Sequence, residues 1–264
     1  IAGRMPSGLD VEIIQKDTRA TAISLGRPLP ITRRDPDFAA LNIARAWLGE
    51  HRASTGRLYN RLREIRGLNY GDYAYIEFFT RPGGQFFPSA NIARRSQAFE
   101  IWIRPVVPAN TQMSIRIALY ELQKLIDNGL SQDDFEATRD YLMKNTYLVT
   151  ATQDQRLGYA LDSWWFGMPE YTEAMRAQYA KLTRDDVNRA VKKYLSAKDL
   201  SVVIITKDAA ALRDQLLKDD VSSITYDSPK AADIVAEDKV IGAYKLGLKA
   251  ENVKITPVDE VFAK

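Results

Sequence analysis

Cysteine is absent from this chain, and histidine occurs once, as His51. The first absence excludes disulfides, thiolate metal sites and cysteine nucleophiles, and it is compatible with a periplasmic protein. The second bears on zinc. A zinc peptidase usually takes two histidines from one helix face plus a carboxylate, and neither H-x-x-E-H nor H-E-x-x-H can be written here. His51, in Gly49-Glu50-His51-Arg52, reads as a solvated residue of a polar turn, and no G-x-S-x-G elbow exists for it to serve as a triad base. No phosphate-binding glycine motif occurs either. No apolar run approaches the ~18 residues of a membrane span, and no signal peptide opens the chain. The first residue is Ile1, which reads as a piece cut from a longer product. The net charge of +3 gives no case for nucleic acid as a partner.

What is present is ordinary globular composition: 45% hydrophobic and 27% charged over 264 residues, enough for one large domain or two small ones. Residues 10–27 alternate as two strands around a polar turn at Lys16-Asp17-Thr18. Asp35-Pro36 reads as an N-cap with proline at the first helical position, opening a helix through Phe38, Leu41, Ala44 and Leu48 that ends at Gly49. After Tyr70 the chain turns β-like and aromatic, with Tyr73, Tyr75, Phe78 and Phe79, then a turn at Pro82-Gly83-Gly84 and an irregular loop from Phe86. Phe99, Ile101 and Ile103 alternate with polar partners as a half-buried strand.

The middle is helical. Helices are expected over 111–128, from a Ser131/Asp134 capping box to about Val149, over 153–166, from Pro169, and after a second box at Thr183/Asp186. Leu200 to Ile205 is a continuous β-branched run, the mark of a sheet centre. A short helix near 209–217 and a last strand near 221–226 close the compact part. Residues 227–264 show no persistent helical period. They read as an extended tail, either packed by anchors such as Ile241, Tyr244 and Val261 or partly disordered. The division is therefore 1–226 as an α+β domain and 227–264 as its tail.

The stretch around which the chemistry gathers is Arg57-Leu58-Tyr59-Asn60-Arg61-Leu62-Arg63-Glu64-Ile65-Arg66-Gly67-Leu68-Asn69-Tyr70. Leu58, Leu62 and Ile65 recur as one apolar stripe of an α-helix, and Gly67 is a left-handed stop. Arg63 lies beside the stripe, and the reversal at Gly67 can bring Tyr70 back toward the helix end. An arginine and a tyrosine on one turn suit carbonyl or carboxylate oxygens. The arginines between 45 and 66 are dense enough for a nucleic-acid surface, but a solvated helix face with i,i+4 spacing explains them better. Asp133-Asp134 and Asp185-Asp186 sit where carboxylates favour a helix N-terminus, not where acid–base chemistry is built.

This same segment resembles the S-R-L-x-x-x-L-R-E-x-R-G-L-x-Y stretch of the pitrilysin/insulinase zinc metallopeptidases, with Gly56-Arg57-Leu58 in place of Ser-Arg-Leu. Asn128-Gly129-Leu130-Ser131 through Phe135, Leu182 through Val187, Lys193-Tyr194-Leu195 and Leu200 through Ile204 are similar to later steps of that family. The resemblance spans roughly 9–217, and the tail is similar to the extension that ends long bacterial members. It implies a two-layer α+β sandwich, a mostly antiparallel sheet with helices on one face. It also implies a chamber built from two halves, fused or separate, of which only the N-terminal half holds zinc. This chain, lacking the motif, is then a non-catalytic C-terminal domain that binds no metal itself and contacts peptide substrate from across the chamber. The matching positions are Arg63, as donor to a peptide carbonyl, and Tyr70, as donor to the oxyanion. Such members are commonly exported, which implies the periplasm. The alternative is a homologous scaffold or assembly domain without peptidase work.

Overall fold

A computed structural model describes residues 4–50, 53–77 and 97–262. Six strands form one sheet: β1 (Leu9–Gln15), β2 (Thr21–Leu29), β3 (Asn69–Tyr75), β4 (Gln97–Val106), β5 (Leu200–Thr206) and β6 (Val253–Pro257), in the order β3-β4-β2-β5-β1-β6. The pairs β3–β4, β4–β2 and β2–β5 are antiparallel, whereas β5–β1 and β1–β6 are parallel. The molecule is an α+β two-layer sandwich with its helices on one face of this sheet. The β-branched run of β5 lies at the sheet centre, between β2 and β1. Register lines up Ile103, Ile23, Ile204 and Ile13 across four strands, all with 0% exposure. Each buried isoleucine contributes roughly 1.5–3 kcal/mol, so this row anchors the hydrophobic layer.

The helices are α1 (Phe38–Gly49), α2 (Thr111–Asn128), α3 (Gln132–Val149), α4 (Gln153–Phe166), α5 (Tyr171–Lys181), α6 (Arg184–Tyr194), α7 (Ala209–Lys218) and α8 (Ala232–Gly242). α1 is buried almost all round, packed against β3, α3, α5 and α6. Its last residue is glycine for a steric reason: a Cβ at Gly49 would lie 2.7 Å from the Ala74 amide nitrogen of β3. The N-cap falls at Asp37, not Asp35. Asp35 instead closes the preceding turn by accepting from the Thr32 amide and hydroxyl, so the Asp-Pro signal marks that turn. Thr183 and Asp186 form the expected reciprocal box, and Ser131 accepts from the Asp134 amide.

Two expectations change at the C-terminal end. Residues 221–226 form no strand: the Ser222 amide donates to Gly242 O, holding this segment against the end of α8. Residues 227–264 contain a helix, α8, and a strand, β6, which pairs beside β1 in the main sheet. Ile241 is fully buried and Tyr244 packs against the core. His51, Phe78, Phe79, the Pro82-Gly83-Gly84 turn and the loop from Phe86 lie outside the described residues.

Candidate substrate-contact site

The segment from Leu58 to Tyr70 is not an α-helix. Tyr59–Glu64 is a π-helix, in which the Ile65 amide reaches back five residues to Asn60 O. The wider turn changes which residue continues the buried stripe. Leu58 and Leu62 are fully buried as expected, but the next position inward is Arg66, at 3% exposure, while Ile65 is only half-buried. One extra residue per turn rotates the side chains past the positions that a period of 3.6 assigns them. Gly67, at φ 66°, ends the helix: its amide donates to Arg63 O and the Leu68 amide to Leu62 O. Each bond spans one residue more than in the common glycine-terminated ending.

This ending delivers Arg63 and Tyr70 to one corner. Tyr70 is the second residue of β3, and Arg63 Nη1 donates to its backbone oxygen at 2.8 Å. The Arg63 guanidinium carbon lies 4.5 Å from the Tyr70 ring centroid and 4.8 Å from that of Tyr59, so the cation is held between two aromatic faces. The Tyr70 side of this corner is open, with 65% of the residue exposed. The carboxylate partner of Arg63 is Glu64, at 3.9 Å, beyond hydrogen-bonding range. Among the described residues the Arg63 fork makes one hydrogen bond, to Tyr70 O, and a planar cation held by aromatic faces can donate its other N–H groups to an incoming carbonyl.

Beneath the corner lies Asp72, which shares the helix-facing side of β3 with Tyr70 and Ala74 and is paired with Ile103 in the buried row. It is fully buried. Asn69 Nδ2 donates to Oδ1 at 2.6 Å, while Oδ2 has no hydrogen-bond partner among the described residues. Burial pushes its carboxyl up to about 8, against the opposing pull of the Asn69 hydrogen bond and the nearby Arg63 charge.

The other arginines of the segment point inward. Arg57 and Arg61 share Glu121 of α2, at 2.8 and 3.1 Å. Arg66 binds Glu237 and Asp238 of α8, both at 2.7 Å, and its Nη1 donates to Arg61 O at 2.9 Å. Arg61 also contacts Glu237. Tyr226 donates to the second oxygen of Asp238 at 2.6 Å. Burial, with Arg66 and Arg57 alongside, lowers the Arg61 pKa against the attraction of Glu121. Arg45 is likewise buried, paired with Glu50 at 2.8 Å and with Asn42. Among the described residues, Arg45, Arg57, Arg61 and Arg66 of the expected solvated arginine face are therefore paired with acids.

Tyr59, Arg66 and Asp72 were missed by sequence reasoning. Tyr59 had a signal, standing four residues before Arg63 on one helix. Asp72 also had one, sharing strand parity with Ala74. Arg66 had none once an α-period was assumed.

No group of three or more histidine, cysteine, aspartate or glutamate side chains able to hold a metal occurs among the described residues, and the sequence offers one histidine and no cysteine.

Comparison with known proteins places these features in a family. The model of the peptidase M16 inactive domain matches residues 5–142, and the chain belongs to that family. It is 28% identical over 207 residues to an uncharacterized zinc protease of Streptomyces coelicolor, covering 77% of this chain and 41% of that protein. It is 20% identical over 196 residues to the non-peptidase homolog YmxG of Helicobacter pylori, covering 74% and 41%. The chain thus spans about two-fifths of the length of these curated relatives. Among solved structures, a peptidase M16 inactive domain from Pseudomonas fluorescens superposes with a TM-score of 0.62 at 22% identity, over 76% of this chain and 44% of that one. The periplasmic protease PqqL of Escherichia coli superposes with a TM-score of 0.58 at 13% identity, over 94% of this chain and 25% of that one. At these identities the superpositions show a shared fold. No helix among the described residues is long and apolar enough to cross a membrane.

Proposed function

We propose that this chain is the substrate-contacting, metal-free domain of a zinc-dependent peptidase, working opposite an N-terminal half, fused or separate, that holds the zinc. The observation that carries this reading is the Arg63–Tyr70 corner: a guanidinium fixed between Tyr59 and Tyr70, hydrogen-bonded to the Tyr70 backbone and beyond hydrogen-bonding range of Glu64. The Arg63 fork donates to a backbone carbonyl of the bound peptide and fixes its register. The Tyr70 phenol donates to the oxygen on which negative charge develops at the scissile carbonyl, where a lost donor typically costs ~10²–10³ in turnover. Zinc, supplied by the other half, contributes Lewis acidity. The relatives' greater length supports the existence of that half, and the likeness to PqqL supports a periplasmic setting.

The test is reconstitution. The chain joined to its N-terminal half cleaves an internally quenched peptide, the chain alone does not, and Tyr70→Phe in the joined protein lowers kcat by about a hundredfold. Equal cleavage by the Tyr70→Phe protein would overturn the assignment. The likeness to a non-peptidase homolog favours one other reading, a scaffold domain in which the corner survives as fold; it predicts no cleavage by the joined protein.

A further inference from the structure

The turn beneath the Arg63–Tyr70 corner is contacted by side chains from beyond residue 226 as well as from before it. Three arginines, Arg57, Arg61 and Arg66, converge on the inner side of the π-helix, and three carboxylates meet them. Only Glu121 comes from the preceding helices; Glu237 and Asp238 come from α8. The Arg66 side chain is wholly buried with α8 in place, and both carboxylates that pair with it among the described residues come from α8. Arg66 also donates to Arg61 O, and it is the residue directly before Gly67, where the chain turns toward Tyr70. Arg61 and Arg66 therefore bracket Arg63 on both sides. α8 itself is held in place from elsewhere. Arg116 of α2 donates to Gly242 O at its C-terminal end, to Ser222 and to Asp219, and Tyr226 donates to Asp238.

We propose that Glu237 and Asp238 of α8 are positioning residues for the substrate site: by holding Arg66 and Arg61 they fix the π-helix turn that aims Arg63 and sets the start of β3 at Tyr70. The segment after residue 226 is then a working part of the site. This rests on the substrate role of Arg63 and Tyr70, and it adds a cause for their geometry. Among the described residues neither Arg63 nor Tyr70 shares a hydrogen bond or ion pair with α8, so its effect runs through the two buried guanidinium groups.

The experiment is a mutant cycle in the complete, zinc-bearing protein, with Glu237→Gln and Asp238→Asn, which keep side-chain shape and remove charge, each made in wild-type and Arg63→Ala backgrounds. In the wild-type background each lowers kcat/KM by about tenfold to a hundredfold, the cost of a small misplacement. In the Arg63→Ala background the same change costs several-fold less than in wild type, because only the placement of Tyr70 is left to lose. Amide hydrogen exchange supplies a readout independent of activity: protection falls across residues 59–66 and stays unchanged across β5. Equal losses in both backgrounds, or unchanged exchange at 59–66, would overturn the proposal while leaving the substrate role intact. If Arg63→Ala alone leaves cleavage unchanged, it is the substrate role that fails. Should the acid variants not fold, Arg66→Lys, which keeps the charge but cannot span both carboxylates, is put through the same cycle with the same two outcomes.

Discussion

Arg63 and Arg66 stand three residues apart on the same turn and are used in opposite ways. Arg66 is buried and bonded through all three of its guanidinium nitrogens, with two carboxylates at 2.7 Å and a backbone carbonyl at 2.9 Å. Arg63 is partly exposed, flanked by two aromatic rings, and keeps most of its donors unused. Identical side chains thus do different work according to what surrounds them. A guanidinium enclosed by acids holds the fold, whereas one enclosed by π-faces stays available to a ligand.

The comparison predicts a division between stability and activity. Arg66→Ala gives the largest effect on stability, because it leaves Glu237 and Asp238 without their buried partner. A loss of about 3–5 kcal/mol is expected, read as a thermal midpoint lower by roughly 10 °C. If the midpoint moved no more than for Arg63→Ala, the two residues would not differ in the way described.

The next effect concerns Asp72. Its carboxyl is raised by burial to about 8 from the ordinary aspartate value of 3.8, so between these pH values the folded protein holds a proton that the unfolded chain has released. More protons bound in the folded state means that stability falls as pH rises. This contribution is greatest below about pH 4, declines through about pH 8 and is level above it. Asp72→Asn, neutral throughout, removes this slope, which urea midpoints measured between pH 5 and pH 9 would register. Parallel profiles for the two proteins would mean that Asp72 is ionised in the fold.

Smaller still is Tyr59→Leu, which removes one of the two faces holding Arg63. It costs about 0.5–1 kcal/mol at a partly exposed site and raises KM more than it lowers kcat. A drop in kcat alone would place Tyr59 nearer the reacting atoms than the ring stacking indicates.

Much of this architecture was legible. The Thr183 and Ser131 caps, the β-branched strand at 200–205 and the Gly67 stop each follow from local chemistry that tertiary context did not override. The pairing of Arg63 with Tyr70 on one turn was legible as well, from the glycine between them. The character of that turn was not. A π-helix differs from an α-helix by one residue per turn, and over six residues the apolar positions Leu58 and Leu62 fit both. α8 was hidden for a different reason: among its eleven residues only Ile241 and Gly242 are buried, so no apolar period marks it. It meets the π-helix segment through Glu237 and Asp238, and charges on a short polar stretch read as solvated until their partners are known. The 221–226 segment alternates like a strand, but Ser222 is taken up by Gly242 and Arg116.

The most direct test of the central claim is Arg63→Ala in this chain joined to the proposed zinc-bearing half, with thermal midpoint and kcat/KM measured on the same preparation. The account predicts a midpoint within about 2 °C of wild type, as for a partly exposed side chain, together with a fall in kcat/KM of about a hundredfold. Unchanged kcat/KM, or a fall that merely follows a lost midpoint, would contradict it.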